Sequence, residues 1–179
     1  MEVLAESGLE AIAVEPLATR LGATKGSFYW HFPARPALIE AVLETWEAEH
    51  TEAVIDLVEA GESPRERLRR LFTLVLDSTR TESVGRNRGI ELALLASRDN
   101  PAVAAALDRV TRRRIDYVAE QYRGIGLDPA TAHSRAIAAV ATYLGHLQLA
   151  ATSPRALPSG DHWLEHVQQT GAMFTPPTD

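Results

Sequence analysis

Apolar residues recur at helical spacing along the whole chain, and no stretch alternates apolar and polar residues with the period of two that strands show. Turn residues separate the helical stretches, and three of these turns place a capping side chain directly before a proline: Ser63-Pro64, Asn100-Pro101 and Asp128-Pro129. Proline is tolerated in the first turn of a helix, where its missing N–H would have no helical partner. The sequence therefore predicts an all-α protein whose helices are joined by short turns.

Composition narrows the class of protein further. The 179 residues include no cysteine, which excludes disulfides and thiolate zinc sites. No apolar run approaches the ~18 residues of a membrane span, and the acidic first residues differ from the basic start of a signal peptide, so a cytoplasmic protein is expected. The net charge of −6 disfavours a protein that coats nucleic acid by charge alone, but it allows a local DNA-binding surface.

The first 32 residues carry a helix-turn-helix pattern. A short helix over Met1–Ser7 is predicted to end at Gly8. The next helix has an apolar stripe made of Val14, Leu17, Ala18 and Leu21. Gly22 and Ala23 then form a turn, and the hydroxyl of Thr24 is expected to cap the helix that follows. Two short helices joined by a tight turn that contains glycine are typical of this motif.

The helix after Thr24 is predicted to have two different faces. Phe28 and Phe32 lie four residues apart on one face, where they can pack on Leu4, Ile12, Leu17 and Leu21. The opposite face carries small, polar and aromatic side chains, namely Gly26, Ser27, Tyr29, Trp30 and His31. Aromatic rings that point outward beside Lys25 suit contact with another molecule, and the outward glycine allows a close approach.

Four segments of this region together resemble a known family. They are Gly8-Leu9-Glu10-Ala11, Val14-x-x-Leu17-Ala18-x-x-Leu21-Gly22, the stretch from Lys25 to Phe32, and Arg35-x-x-Leu38. The pattern covers residues 1–46 and resembles the N-terminal domain of the tetracycline-repressor (TetR) family of regulators. The resemblance implies an all-α homodimer, with an N-terminal three-helix helix-turn-helix DNA-binding domain at residues 1–35 and a C-terminal helical effector-binding and dimerisation domain at residues 36–179.

The resemblance also implies a set of residues that contact DNA: Thr24, Lys25, Gly26, Ser27, Tyr29, Trp30, His31 and Arg35. Lys25 and Arg35 can neutralise phosphates, and the polar side chains can bond phosphate oxygens or base edges. A dimer would place two such helices on a near-palindromic operator with half-sites about 34 Å apart or more. The implied function is a one-component transcriptional regulator, a repressor that a small-molecule effector releases from double-stranded operator DNA.

The first 36 residues depart from the family pattern in their length and in their charge, and also at Ala13 and Pro16, which replace the usual cap and polar residue. The family has a longer first helix with a basic arm before it, so either the first helix is truncated here or the start of the chain is misplaced. Acidic residues also outnumber basic ones here, with Glu2, Glu6, Glu10 and Glu15 against Arg20, Lys25 and Arg35. The net charge of this region is therefore slightly negative, which is low for a DNA-binding domain.

The larger domain is expected to bind an apolar effector and to form the dimer. The resemblance implies a cavity among the helices from about Pro64 to Tyr122, with Phe72, Leu76, Leu94, Tyr117 and Tyr143 as candidate lining residues. The helix over about 129–151 is apolar around most of its circumference, and with the last helix it suits a two-fold four-helix seam. The candidate dimer residues are Ile137, Val140, Ala141, Leu144, Leu147, Trp163 and Val167.

Three other interpretations of the sequence compete with this one. The chain could be a helical ligand-binding or interaction module that has lost DNA binding. The run from His162 to Glu165 and His166 fits the H-x-x-E-H pattern of metalloenzymes, but a catalytic zinc needs a third protein ligand and only Asp179 follows as an acid. Neither an enzyme nor a cofactor is therefore expected. The run Arg112-Arg113-Arg114 could be a second nucleic-acid surface, but a solvated helix face is favoured, with Asp108 and Asp116 four residues from Arg112.

Overall fold

The computed structural model describes residues 1–78 and 82–175, with the backbone alone for residues 82–88. Within these ranges the protein contains α-helices joined by short turns and no strand, which confirms the predicted all-α class. Ten α-helices are described: α1 (Glu2–Ser7), α2 (Val14–Arg20), α3 (Lys25–His31), α4 (Arg35–Glu47), α5 (Ala53–Glu59), α6 (Pro64–Asp77), α7 (Glu82–Ala96), α8 (Pro101–Gly124), α9 (Pro129–Thr152) and α10 (Asp161–Phe174). None of the described helices is long and apolar enough to cross a membrane.

The predicted caps start the helices that they precede. The backbone N–H of Glu66 donates to the Ser63 hydroxyl at 3.2 Å, and two N–H groups of α8 donate to the Asn100 side chain. The Asp128 carboxylate accepts from two N–H groups of α9. The side-chain hydrogen bond with Thr131, followed by these backbone bonds, lowers the pKa of that carboxyl. These side chains satisfy N–H groups that have no partner within their helix, so local sequence alone fixes where these helices begin.

A π-helical turn over Ala48–Glu52 joins α4 to α5 and changes which residues face inward. Helical spacing in the sequence predicts one apolar stripe through Leu38, Val42, Trp46, Ala53 and Leu57. Leu38 and Trp46 are buried as predicted, but the stripe is wrong beyond the π turn. Ile55 and Val58 are buried there, whereas the predicted Ala53 and Leu57 are exposed. A π turn holds one more residue than an α turn, so each later side chain is rotated away from its expected position.

Two apolar cores lie in series along the molecule. The first joins the N-terminal helices to α4, α7 and α8, through residues such as Leu4, Phe28, Trp46, Leu94 and Val110. The second joins α5, α6, α8 and α9, and a smaller cluster holds α10 against α6. The head, residues 1–35, is therefore continuous with the core of the larger domain.

The faces of α9 and α10 narrow the predicted dimer surface. Val140, Leu147, Trp163 and Val167 are buried inside the protomer, so they hold its own core and offer no surface to a partner. In contrast, Ile137 and Ala141 are exposed and Leu144 is half-buried. The prediction of a dimer seam is thus reduced to the outward side chains of these two helices.

Candidate DNA-binding helix and ligand cavity

Helix α3 is held by its predicted cap and by one aromatic face. The backbone N–H of Ser27 donates to the Thr24 hydroxyl at 3.2 Å, and the Phe28 and Phe32 rings lie 5.2 Å apart. Phe28 is buried, and Phe32 packs on the first core. Leu21 was predicted to join this contact, but it is exposed. The reason is that α2 ends at Arg20, so Leu21 belongs to the turn that leads to Gly22.

The opposite face of α3 points outward, as the helical wheel predicts. Tyr29 is 45% exposed and Trp30 is 81% exposed. Ser27 and His31 are exposed beside them, and the Trp30 and His31 rings meet edge to face at 4.7 Å. A Cβ at Gly26 would meet no described atom within 4 Å apart from its chain neighbours and the helix's own backbone, so this face is open to a close approach.

Lys25 begins α3 and is paired within the head. Its Nζ lies 2.8 Å from Glu15 Oε1, and the hydrogen bond with this carboxylate raises the pKa of Lys25. Both side chains are exposed, so the pair is open to exchange. A phosphate at Lys25 would compete with Glu15 for the same ammonium, which would reduce the electrostatic gain from binding DNA.

Arg35 has a different environment from the one that the resemblance implied. Its Nε donates to the Ile12 carbonyl at 2.9 Å, and its Nη2 donates to the Leu9 carbonyl at 3.0 Å. A further contact joins Nη2 to the Glu10 carboxylate at 3.3 Å. In this structure the side chain ties the segment before α2 to the start of α4, and the phosphate contact that the resemblance implied stays a prediction. No local sequence signal distinguishes these two roles.

The short helix α1 connects the head to the larger domain. Arg20 of α2 pairs with Glu2 and Glu6 of α1 at 3.5 and 3.2 Å, which holds α1 to the head. On its other side α1 packs against α7, where the backbone at Ala5 meets Gly89. A Cβ at Gly89 would lie 2.9 Å from the Ala5 carbonyl oxygen, so only glycine permits this approach. These contacts were not predicted from the sequence.

The larger domain contains a cavity of about 370 Å³. Three of the five predicted lining residues, Phe72, Tyr117 and Tyr143, lie in its wall. Leu76 and Leu94 do not: Leu76 packs with Trp163 and Val167, and Leu94 belongs to the first core. The wall also includes residues that were not predicted to line it. Some belong to the π turn and α5, and the others to α6, α7, α8 and α9: Glu49, His50, Thr51, Val54, Ile55, Leu71, Val75, Glu91, Arg114, Val118 and Val140.

A buried ion pair forms the polar end of the cavity. Arg114 Nη1 lies 2.9 Å from Glu91 Oε1, and the two side chains are only 13% and 6% exposed. Arg114 Nε also donates to the Thr51 hydroxyl at 3.1 Å. Burial opposes the charge of Arg114, but Glu91 holds its pKa above the ordinary value.

The three arginines of α8 differ in their environments. Arg112 is solvated and pairs with Asp108, as predicted, and Arg113 pairs with Glu52. Arg114 contradicts the prediction of a uniformly solvated face, because it turns into the cavity. The reason is geometric: consecutive residues fan around a helix, and the third one faces α4 and α7.

Other polar groups lie around the same ion pair. Burial lowers the pKa of His50, which favours the neutral ring. Burial also raises the pKa of Tyr143, and the charges of Glu91 and Arg114 both act on that hydroxyl. Tyr117 donates to Glu59 Oε1 at 2.8 Å, and burial followed by this bond raises its pKa.

The H-x-x-E-H segment lies on α10 without the geometry of a metal site. His166 Nε2 faces His146 Nε2 of α9 at 2.9 Å, whereas His162 is exposed and lies 3.9 Å from Glu165. Within the described ranges no group of three histidines or carboxylates is placed to hold a metal ion. Asp179 lies outside those ranges.

Comparison with known proteins agrees with these features. Residues 1–42 match the model of the family described as bacterial regulatory proteins, tetR family. The tetracycline repressor protein class A from transposon 1721 of Escherichia coli is 32% identical over 106 residues, which are 59% of this chain and 41% of that repressor. The chain therefore matches less than half of that repressor's length.

Solved structures extend the similarity to the whole fold. A transcriptional regulator from Rhodococcus sp. Rha1 has a TM-score of 0.77 at 26% identity, covering 96% of this chain and 89% of that one. A regulator from Saccharomonospora viridis, solved in complex with choline, has a TM-score of 0.77 at 20% identity and covers 94% and 88% of the two chains. The motif, the family match over residues 1–42 and the fold agree, and all three make the chain similar to the TetR family of bacterial regulatory proteins.

Proposed function

We propose that this chain is a DNA-binding transcriptional regulator, a repressor in which α3 binds the major groove of operator DNA and a small molecule in the cavity controls that binding. The observation that carries the proposal is the outward face of α3. Trp30 is 81% exposed, and the ring that it meets among the described residues is His31 of its own helix. An exposed ring of this size beside an open glycine contributes nothing to the core, which favours a regulator over a module that has lost DNA binding.

The proposed contacts divide by chemistry. Lys25 exchanges Glu15 for a phosphate, and Tyr29 and His31 donate to phosphate oxygens. Ser27 approaches base edges and the Trp30 ring makes apolar contacts, while Gly26 admits the groove wall. Thr24 positions the start of the helix. Arg35 acts indirectly, because it fixes the segment that precedes α2.

The path from the cavity to the head runs along α7. Glu91 lies in the cavity wall, and Gly89 of the same helix touches the backbone of α1. Arg20 in turn pairs α1 with α2 of the head. A ligand that displaces α7 would therefore displace the head, provided that it binds the two arrangements with different affinity. The choline complex of a regulator with the same fold supports a small-molecule effector, although the identity of that ligand does not transfer.

The proposed regulator acts as a homodimer. Large apolar side chains are exposed on the outward faces of α9 and α10, and they include Ile137, Leu149, Leu164 and Met173. A two-fold axis would bury these self-complementary faces in one four-helix seam. The two copies of α3 would then contact two half-sites of one operator.

Gel-shift titration at several salt concentrations tests the proposal. We expect Lys25→Ala to weaken binding to a selected operator and to reduce the salt slope by about 1, because one phosphate contact is lost. Arg112→Ala is the matched control, since it removes an exposed cation of the larger domain. The proposal fails if both variants bind as the unmodified protein does.

A further inference from the structure

We propose that the cavity takes an uncharged molecule with an apolar body and one polar head that both donates and accepts hydrogen bonds, such as a carboxamide. This inference deepens the effector role proposed above and rests on it only for the consequence for DNA. It is carried by the polar end of the cavity, where Glu91, Arg114, Tyr143 and His50 meet.

The charges at this end are already balanced and fixed. Both Nη atoms of Arg114 bond the Glu91 carboxylate, at 2.9 and 3.4 Å. The guanidinium also lies over the Trp46 ring and over the Tyr143 ring, 5.6 Å from each centroid. Together with the bond to Thr51, these contacts hold Arg114 in one position. The pair therefore acts as a rigid neutral unit and not as a free cation.

A charged ligand would disturb this balance. A ligand carboxylate placed on Arg114 would lie beside the Glu91 carboxylate, and Glu49 adds another acidic side chain to the wall. A ligand ammonium placed on Glu91 would lie beside the buried guanidinium. In either position one buried charge remains without a counterion, and such charges are costly away from water.

Hydrogen-bonding capacity remains for an uncharged head. A guanidinium carries five N–H groups, and Arg114 uses three of them among the described residues. The Tyr143 hydroxyl and the ring nitrogens of His50 have no hydrogen bond to any described residue. Arg114 can only donate, whereas a neutral imidazole and a phenol each offer a donor and an acceptor. A head with both functions satisfies this set, and an apolar group would leave it unpaired.

The rest of the wall suits an apolar body. Ile55, Leu71, Phe72, Val75 and Val118 contribute aliphatic and aromatic surface. The volume of about 370 Å³ lies near the lower end of the range for small-molecule sites, which is roughly 300–1,000 Å³. A compact molecule with a small ring system fits these limits.

Isothermal titration of the full chain with four naphthalene derivatives tests the ligand class. The probes are 2-naphthamide, 2-naphthoate, 2-naphthylmethylammonium and naphthalene itself, which share one apolar body. We expect 2-naphthamide to bind at least about tenfold more tightly than each of the others, because it alone satisfies the polar end without adding charge. Equal or tighter binding of either ion overturns the proposal, as does equal binding of naphthalene or no binding of 2-naphthamide.

A conservative variant tests whether the polar head of the ligand binds beside the Tyr143 hydroxyl. Tyr143→Phe keeps the ring over Arg114 and removes only the hydroxyl, so we expect it to weaken 2-naphthamide about three- to tenfold and to leave naphthalene unchanged. Tyr29→Phe is the matched control on α3 and should change neither affinity. An unchanged 2-naphthamide affinity in a folded Tyr143→Phe protein overturns this assignment.

The ligand test and the test of regulation fail separately. The titrations use no DNA, so the ligand class can hold even if the chain binds no operator. Conversely, if 2-naphthamide binds as expected and does not release a bound operator, the effector role fails while the ligand class stands.

Discussion

We expect Arg114→Met to destabilise the protein by about 3–5 kcal/mol, because it leaves the Glu91 carboxylate buried without its counterion. The structure places this cost at the high end for an ion pair. The closest approach of the pair is 2.9 Å, and the two side chains are 13% and 6% exposed. Methionine keeps most of the apolar stem and removes the charge, so the loss reports mainly on electrostatics.

Two further variants distinguish the loss of the ion pair from other causes of destabilisation. Arg114→Met combined with Glu91→Met removes both charges and should recover most of the stability, since replacing a buried pair by apolar residues is often neutral or stabilising. Arg109→Met is the matched control on the same helix. Arg109 pairs with Glu47 at 2.6 Å but is 54% exposed, and its loss should cost less than about 1 kcal/mol.

Urea unfolding, followed by circular dichroism at one fixed protein concentration, measures these differences. The concentration must be held constant because the proposed dimer would contribute to apparent stability. The reasoning is refuted if Arg114→Met costs less than about 1 kcal/mol, the range expected for an exposed pair. It is also refuted if the double variant is no more stable than Arg114→Met alone.

Three other predictions concern the head, the α9–α10 contact and the DNA surface. Gly89→Val should lower the free energy of unfolding by about 1–3 kcal/mol and weaken DNA binding, because the added Cβ would meet the backbone of α1. An unchanged melting temperature would contradict this contact. Burial, followed by the charge of His146, lowers the pKa of His166 in the folded protein. The unfolded chain therefore takes up a proton at a higher pH than the folded protein does, and the free energy of unfolding should fall as the pH drops below about 6.5. Melting between pH 7.5 and 5.5 should fall less in His166→Asn than in the exposed control His162→Asn, and equal falls would exclude His166 as a cause. Glu15→Gln should raise operator affinity about two- to fivefold in a gel shift, because it releases Lys25 for phosphate; a lower affinity would show that the pair supports binding.

The sequence alone predicted those features of the structure that residues close together in the chain determine. Thr24, Ser63 and Asn100 are followed by the helices that they cap, because each hydroxyl or amide bonds an N–H within three residues. The two faces of α3 followed in the same way from its own periodicity, since Phe28 and Trp30 lie on opposite sides.

Features that depend on distant elements were missed. The π turn has no local signature in the sequence, so Leu57 was placed inward in error. Which of three consecutive arginines enters the core is decided by where α4 and α7 pack, and this selected Arg114. Leu94 and Phe72 look alike in the sequence, although one fills a core and the other borders a cavity.

Selection of binding sites from a random duplex pool tests the central claim most directly. We expect the chain to enrich one near-palindromic sequence whose half-sites lie about 34 Å apart or more, since two copies of α3 would contact it. Trp30→Ala should enrich no such sequence although its fold is intact, because this exposed ring supports nothing in the core. The account is contradicted if the unmodified chain enriches no sequence, or if Trp30→Ala enriches the same site with equal affinity.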